Sequence, residues 1–282
     1  MLLVKDALSA ILRRAVPTVE QGTLVAVAGM LLDIPRRDVL LIASTEGGIR
    51  HLTQGQKWVA FAGYPLLEKM LATEPKDLYK FLFQPCENAS LLLGSISSES
   101  DLTSVLESFY RTRFGYAMVE SADSFGIVTL TDILLLLEQG RLDTDLRVRD
   151  VASSPVFSLP GGTSFREALH EMMRRRVRRV RIEGSDRFVS DREVLMYIFS
   201  PARLRMVRKS SEVMLDATLE EAGYTEAIRV DDDMKLGEAS AIIKPGSGNC
   251  LTMEGEGLVT PWDLVMKPWR TGRLHAGGGV DP

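Results

Sequence analysis

Histidine and cysteine are scarce in this chain, with three of the first and two of the second among 282 residues. His51, His170 and His275 are scattered, and none has a serine, cysteine or aspartate at a spacing that would pair a nucleophile with a base. Cys86 and Cys250 stand outside any metal-ligand or redox spacing, which fits a reducing compartment. No glycine-rich phosphate loop ending in Lys-Ser/Thr is present. No run approaches the roughly 20 apolar residues that span a bilayer. The start Met1-Leu2-Leu3-Val4-Lys5-Asp6 runs straight into charge and lacks a signal-peptide pattern, so a cytoplasmic protein is expected. A net charge of -4 argues against a general nucleic-acid binder without excluding a local basic site. No metal and no membrane contact are expected.

What is present is a globular composition, 45% apolar and 26% charged, enough for one large or two medium domains. Two stretches repeat each other. Gly126-Ile127-Val128-Thr129-Leu130-Thr131-Asp132 and Gly257-Leu258-Val259-Thr260-Pro261-Trp262-Asp263 each read as a strand that ends on a threonine and turns directly into a helix. Pro261 suits the first helical position. One reading of Thr-x-x-Asp is a capping box, two side chains satisfying orphan backbone donors. The other is a ligand site: helix starts favour anions, a hydroxyl adds a donor for phosphate, and a carboxylate accepts from ribose hydroxyls. The duplication adds weight to the second reading.

The whole chain follows the same rhythm of strand, helix, strand, strand, helix. The first unit has a lead-in helix over Val4 to Arg14, a strand at Val16 to Val19, a helix to about Leu32 and a strand at Asp38 to Ile42. A hairpin punctuated by Gly47, Gly48 and Gly55 returns through Trp58 to Phe61, and a helix spans Tyr64 to Leu71. A linking helix is expected near Lys76 to Phe83. The second unit has a strand at Leu91 to Leu93, an amphipathic helix at Asp101 to Arg111, strands at Tyr116 to Val119 and Gly126 to Val128, and a closing helix at Ile133 to Leu137. The third opens on Val148-Arg149-Asp150, which echoes Val4-Lys5-Asp6. It continues through Val156 to Ser158, Ser164 to Arg175, Val177 to Ile182, Arg187 to Ser190 and Val194 to Phe199. The fourth has a helical lead-in over Ser211 to Ala222, then Ala227 to Val230, Leu236 to Ile243, Cys250 to Met253, Gly257 to Val259 and a closing helix. Turning points fall at Ala60, Thr129, Ser190 and Thr260. The spacings Ala60 to Ser190 and Thr129 to Thr260 differ by one residue, so a pair of units is duplicated. One half-covered sheet cannot bury itself, which makes pairs of units the folding domains. A tail after Trp269, with Gly277, Gly278 and Gly279, reads as flexible.

These residues resemble the cystathionine β-synthase (CBS) domain, two of which pack into a Bateman module. Four in one chain resembles the gamma subunit of AMP-activated protein kinase and its archaeal stand-alone relatives. The resemblance implies a mixed α/β fold of two modules, 1–145 and 146–270, forming a pseudo-two-fold disc with a flexible tail at 271–282. The first module would hold units at about 4–73 and 85–140, the second at about 148–200 and 210–268. It further implies an adenosine ligand, AMP or ADP or ATP, in clefts between paired units. Thr260 and Asp263 would then face Arg178 and Arg179. Thr129 and Asp132 would face Arg36 and Arg37. The first unit departs from the pattern with Ala60 and Gly63 at the hydroxyl and carboxylate positions. The third has Ser190 and Glu193, which also read as a capping box. Their partner walls, Gly115-Tyr116 and Gly248-Asn249, lack cations.

Two other clusters have competing readings. Arg174, Arg175 and Arg176 suit a solvated helix end, whereas Arg178 and Arg179 suit phosphate, whose oxygens a guanidinium fork matches. A nucleic-acid patch is the third reading of the run. Asp231-Asp232-Asp233 reads as a metal cluster or, more simply, the acidic start of a helix. The expectation is a regulatory protein, not an enzyme, that signals to an unknown protein partner as a monomer or a homodimer. A nucleic-acid-binding regulator and a scaffold with vestigial clefts are the alternatives.

Overall fold

A computed structural model describes residues 2–12, 14–32, 39–44, 50–54, 57–210, 213–243, 250–254 and 257–277. A lead-in of two short helices, α1 (Val4–Ala7) and α2 (Ser9–Leu12), precedes the first repeat. That repeat comprises β1 (Thr18–Glu20), α3 (Val25–Leu31), β2 (Val39–Ser44), the short β3 (Arg50–His51) and β4 (Thr53–Gln54), β5 (Lys57–Ala62) and α4 (Gly63–Ala72). After α5 (Leu78–Leu82) the second repeat runs β6 (Leu91–Ser97), α6 (Leu102–Thr112), β7 (Tyr116–Glu120), β8 (Phe125–Thr129) and α7 (Leu130–Glu138). The strand β9 (Leu142–Asp143) and the lead-in α8 (Val148–Val151) bring the chain to the third repeat, β10 (Ser158–Leu159), α9 (Phe165–Arg175), β11 (Arg179–Ile182), β12 (Arg187–Ser190) and α10 (Asp191–Ile198). Following α11 (Pro201–Ser210) and β13 (Thr225–Glu226), the fourth is β14 (Ile228–Arg229), α12 (Leu236–Ile242), β15 (Leu251–Thr252), β16 (Leu258–Val259) and α13 (Pro261–Arg270). The last strand is β17 (His275–Ala276).

In each repeat the first strand lies parallel to the second, with a helix between them, and the third strand returns antiparallel. A parallel pair needs such a crossover, whereas an antiparallel pair needs only a turn. The helices follow from their sequences. Asp101 caps α6 by accepting from the Thr103 amide at 2.7 Å, and Ser164 caps α9 by accepting from Glu167. Leu102, Val105, Leu106 and Phe109 form the buried stripe of α6, and Phe165, Ala168, Leu169 and Met172 that of α9. Both helices end on a left-handed arginine, Arg113 at φ 62° and Arg176 at φ 59°. Phe109 and Phe165 are fully buried, each contributing about 1.5–3 kcal/mol.

Lead-in segments are exchanged between repeats. Leu3, ahead of the first repeat, forms a β-bridge with Asp101, the cap of the second repeat's first helix; Pro85, ahead of the second, bridges Leu24, the matching position in the first. Arg147 with Lys235 and Thr218 with Ser164 repeat this exchange for the third and fourth. The Val4 and Lys5 amides donate to Ser100 and Ser98, as Val148 and Arg149 donate to Met234 and Asp232. Lys5–Glu99 and Arg149–Asp233 ion pairs sit beside these bonds. The echo of Val4-Lys5-Asp6 in Val148-Arg149-Asp150 is thus one docking turn of helix used twice.

By contact the chain forms two compact units. Unit 1 holds residues 1–16, 93–156 and 227–282, and its core joins Val4, Ile11, Phe109, Val128, Leu136, Leu236, Leu264 and Val265. Unit 2 holds 17–92 and 157–226, built on Leu40, Phe61, Leu66, Met70, Phe165, Leu169, Val194 and Phe199. In unit 2 the ring of Phe199 lies where a Cβ on Gly29 would sit, 2.2 Å away.

Several expectations are corrected. The lead-in over Val4 to Arg14 is two short helices, Val4–Ala7 and Ser9–Leu12, broken at Leu8, whose φ of -129° lies outside the helical range. The helix expected over Ser211 to Ala222 lies upstream, at Pro201–Ser210. Residues 213–222 instead lend the carbonyls of Leu215 and Ala217 to the Arg166 and Phe165 amides at the start of α9. The first unit's strand runs on to Ala62, so its turning point is two residues later than Ala60. Residues 271–277, expected as part of a flexible tail, include β17 paired with β9, and Arg273 binds Asp145. The hairpin glycines Gly47, Gly48 and Gly55 lie outside the described residues.

Candidate functional site

Both Thr-x-x-Asp motifs lie in unit 1, each at the seam between a third strand and its closing helix. Thr129 ends β8 and caps α7. The Oδ2 of Asp132 accepts from the Thr129 amide at 2.8 Å and from its hydroxyl at 2.7 Å. The other oxygen, Oδ1, accepts from the Arg14 guanidinium at 2.8 Å. Thr260 and Asp263 reproduce the box at α13, with the amide at 2.9 Å and the hydroxyl at 2.7 Å from Oδ2. There Oδ1 accepts from the Ser153 hydroxyl at 3.2 Å and meets the Lys267 ammonium at 3.2 Å. Asp132 is 6% exposed and Asp263 7%. Capping geometry is therefore complete at both.

The motif glycines have a packing cause. A Cβ on Gly126 would stand 2.8 Å from the backbone oxygen of Ile11, and one on Gly257 would stand 2.9 Å from the Cβ of Ala152. Each glycine lets a lead-in lie against the strand that ends in the threonine. Ser153 and Leu258 exchange backbone hydrogen bonds beside Gly257. This close approach delivers Arg14 to one carboxylate and Ser153 to the other.

Ser190 lies in unit 2, buried at the start of α10. Its amide donates to Glu193 at 2.7 Å, and its hydroxyl donates to the same oxygen. The second Glu193 oxygen accepts from Thr225 at 3.2 Å. Arg179 opens β11 directly opposite Ser190 in the antiparallel register. Arg178 forks onto the buried Asp191, with Nε at 2.9 Å and Nη2 at 2.5 Å, and its guanidinium lies 5.1 Å from the centre of the Tyr64 ring. Burial, with Glu68 and Asp191 nearby, raises the Tyr64 hydroxyl pKa above its ordinary value against the pull of Arg178. In the first repeat Ala62 and Pro65 take the cap and third helical positions, so the absence of hydroxyl and carboxylate there stands with the shifted register. Arg36 and Arg37 lie outside the described residues.

The remaining arginines resolve into ordinary packing. Arg174 and Arg175 both bind Glu171 one turn back on α9, and Arg175 also covers the Phe157 ring at 4.3 Å. Hydrogen bonds from Arg174 and then Arg175 hold the Glu171 carboxyl down to about 2. In the Asp231-Asp232-Asp233 run, Asp231 accepts from the Asp233 amide and Asp233 pairs with Arg149. Sequence reasoning missed Arg14, Ser153, Asp191 and Lys267. Lys267 had a local signal, a cation one turn after Asp263. Arg14 and Ser153 are distant in sequence and had none.

Residues 148–199 match the family model of the CBS domain. This segment is similar to a CBS domain. It takes in α8 and the whole third repeat through α10, the repeat that carries Arg178 and Ser190. Both Thr-x-x-Asp motifs lie outside it, in repeats with the same strand order as the CBS domain. Over 93% of this chain and 99% of the other, the fold is similar to that of protein MJ1225 from Methanocaldococcus jannaschii, described as a proposed archaeal homolog of g-AMPK, with a TM-score of 0.74 at 15% identity. That likeness is one of fold. An uncharacterised 33.4 kDa protein in a ribosomal RNA operon of Thermofilum pendens is 25% identical over 182 residues, 61% of this chain and 60% of that relative's length. CBSX2, solved in complex with AMP, aligns with 49% of this chain and 98% of its own, 19% identical, at a TM-score of 0.36, too slight a likeness to assign a ligand here. No helix among the described residues is long and apolar enough to cross a membrane.

Proposed function

We propose that the chain is a regulatory protein that senses an adenine nucleotide, most simply AMP, on carboxylates presented at helix starts, and signals to a protein partner. The observation that carries this reading is the pair of buried aspartates, Asp132 and Asp263, each one turn into a helix behind a threonine. A carboxylate so placed accepts from a ribose diol, and the threonine hydroxyl, which donates to that carboxylate, becomes a donor for phosphate when it turns away from it. Within unit 2 we propose Arg178, oriented by Asp191, and Arg179 as contacts for an anionic group, with Ser190 beside them at the start of α10. We further propose that the other three repeats are CBS domains and that modules fall at 1–145 and 146–270. The exchange of lead-ins between the first and second repeats, and between the third and fourth, supports that pairing.

A melting-temperature screen with AMP, ADP, ATP and S-adenosylmethionine tests the reading. Ligand at 100 times its dissociation constant stabilises the bound fold by about 2.7 kcal/mol. An upward shift with at least one compound is expected, and its absence with all four refutes the proposal. One observation favours a second reading, a scaffold with vestigial clefts: both motif carboxylates are engaged by the chain's own groups, Asp132 by Thr129 and Arg14, Asp263 by Thr260, Ser153 and Lys267. Co-purification of one protein together with a flat screen would select it. Arg174 and Arg175 pair with Glu171 on an exposed helix end, the arrangement of a solvated face.

A further inference from the structure

We propose that unit 1 holds a small-molecule site apart from the helix starts, a groove between β6 and α6 that takes a free α-amino acid with an apolar side chain.

The groove encloses about 470 Å³, within the range of small-molecule pockets. None of Thr129, Asp132, Thr260 and Asp263 lines it, and its whole lining lies in unit 1. One wall is aromatic, where Tyr110 of α6 meets Trp269 of α13 with ring centres 5.8 Å apart. The Arg113 guanidinium covers the Tyr110 ring at 4.6 Å. One face of that ring is therefore taken, which disfavours recognition by stacking and leaves the wall as an apolar boundary.

The polar lining centres on a pair of charges. Glu107 and Arg111 stand one turn apart on α6, and both are exposed. At that spacing a carboxylate and a guanidinium ordinarily pair, as Glu171 and Arg175 do on α9 at 3.0 Å. Glu107 and Arg111 bond neither to each other nor to any other side chain among the described residues. The hydroxyls of Ser100, Ser104 and Ser108, which also line the groove, are uncommitted in the same sense. By contrast, Thr112 and Ser240 bond back to carbonyls four residues earlier. Counted from the caps Asp101 and Lys235, the positions of Glu107 and Ser108 hold Ala241 and Ile242 in the fourth repeat. The polar set is thus particular to the second repeat and not a property of the fold. Opposite charges one helical turn apart suit a ligand whose ammonium and carboxylate share a carbon. The ammonium falls to Glu107, the carboxylate to Arg111 and the serine hydroxyls, and the side chain to Tyr110 and Trp269.

Calorimetry on the full chain tests this with L-leucine and L-phenylalanine. It is made without nucleotide, so its outcome is independent of the adenosine reading. At least one of the two is expected to bind, one per chain, with a dissociation constant in the millimolar range, since exposed charges contribute little each. Glu107→Gln and Arg111→Gln should each weaken binding about fivefold, and the double variant more than about tenfold. Melting of the unliganded protein should not change in any of them, because both side chains are exposed. The N-acetyl and amide forms of the bound amino acid, which lack the ammonium and the carboxylate, should bind no better than the wild-type ligand binds the single variants. Failure of both amino acids to bind overturns the proposal, as does wild-type affinity in the double variant or for either blocked form. Binding of D-glucose where both amino acids fail also overturns it, and gives the serines and the aromatic wall to a saccharide.

Discussion

Glu171 and Cys86 show how far single residues are set by their neighbours. Arg174 and Arg175 depress the Glu171 carboxyl to about 2, from an ordinary value of 4.5. A depressed carboxyl adds stability above the unfolded value and loses it as pH falls toward the folded one. The melting temperature of wild type should therefore fall more than that of Glu171→Gln as pH drops below 4.5 toward 2. Cys86 is buried, and burial, with the adjacent Glu87, pushes its thiol up to about 12. Since the thiolate is the reactive form, a thiol reagent should leave Cys86 unmodified in the native protein and label it only after denaturation, a difference mass spectrometry reads directly. At this scale the sequence disclosed the threonine–aspartate pairs, because capping spacing is local. It concealed Arg14 and Ser153, since nothing near either residue states which carboxylate the folded chain will bring to it. Arg178 was marked for phosphate from its place before a strand; its bond to Asp191 also depends on the pairing of β11 with β12.

Elements were most legible where one face alone is buried. The stripes of α6 and α9 were plain, and their caps fell at Asp101 and Ser164. Prediction failed where the backbone answers to a distant strand. Residues 213–222 carry helix-forming side chains, yet the start of α9 takes their carbonyls. Likewise β5 continues through Phe61 and Ala62 because both pair with β2, which moves the turn past Ala60. The glycines of the two motifs belong to this scale. Gly126→Ala would press a methyl group against the Ile11 backbone, which cannot yield as a side chain can. A loss of about 1–3 kcal/mol is expected, measurable by urea denaturation. Gly257→Ala meets the Met253 side chain at 2.5 Å and Ala152 at 2.9 Å. Met253 can swing aside, so the loss there should lie at the lower end of the same range.

At the scale of the whole molecule, four repeats with one strand order were readable from the rhythm of apolar runs, glycines and turning residues. Their duplication in pairs rested partly on Ala60, and the true turn at Ala62 removes that support. The lead-in exchange supplies a better argument, since the same bridge joins first to second and third to fourth. That exchange could be only half read from the chain: Leu3 and Arg147 each precede the echoed Val-Lys/Arg-Asp, whereas Pro85 and Thr218 share no motif with them.

Each repeat thus carries its neighbour's brace rather than its own. A fragment that begins at Pro17 keeps every strand of the first repeat, yet it strips Ser98 and Ser100 of their partners some eighty positions downstream. Proteolytic nicking should then open first around Asp101, far from the cut end, and a peptide of residues 1–16 added back in trans should protect that region again. Injury at one place and symptom at another is the signature by which interlaced repeats can be told from beads on a string.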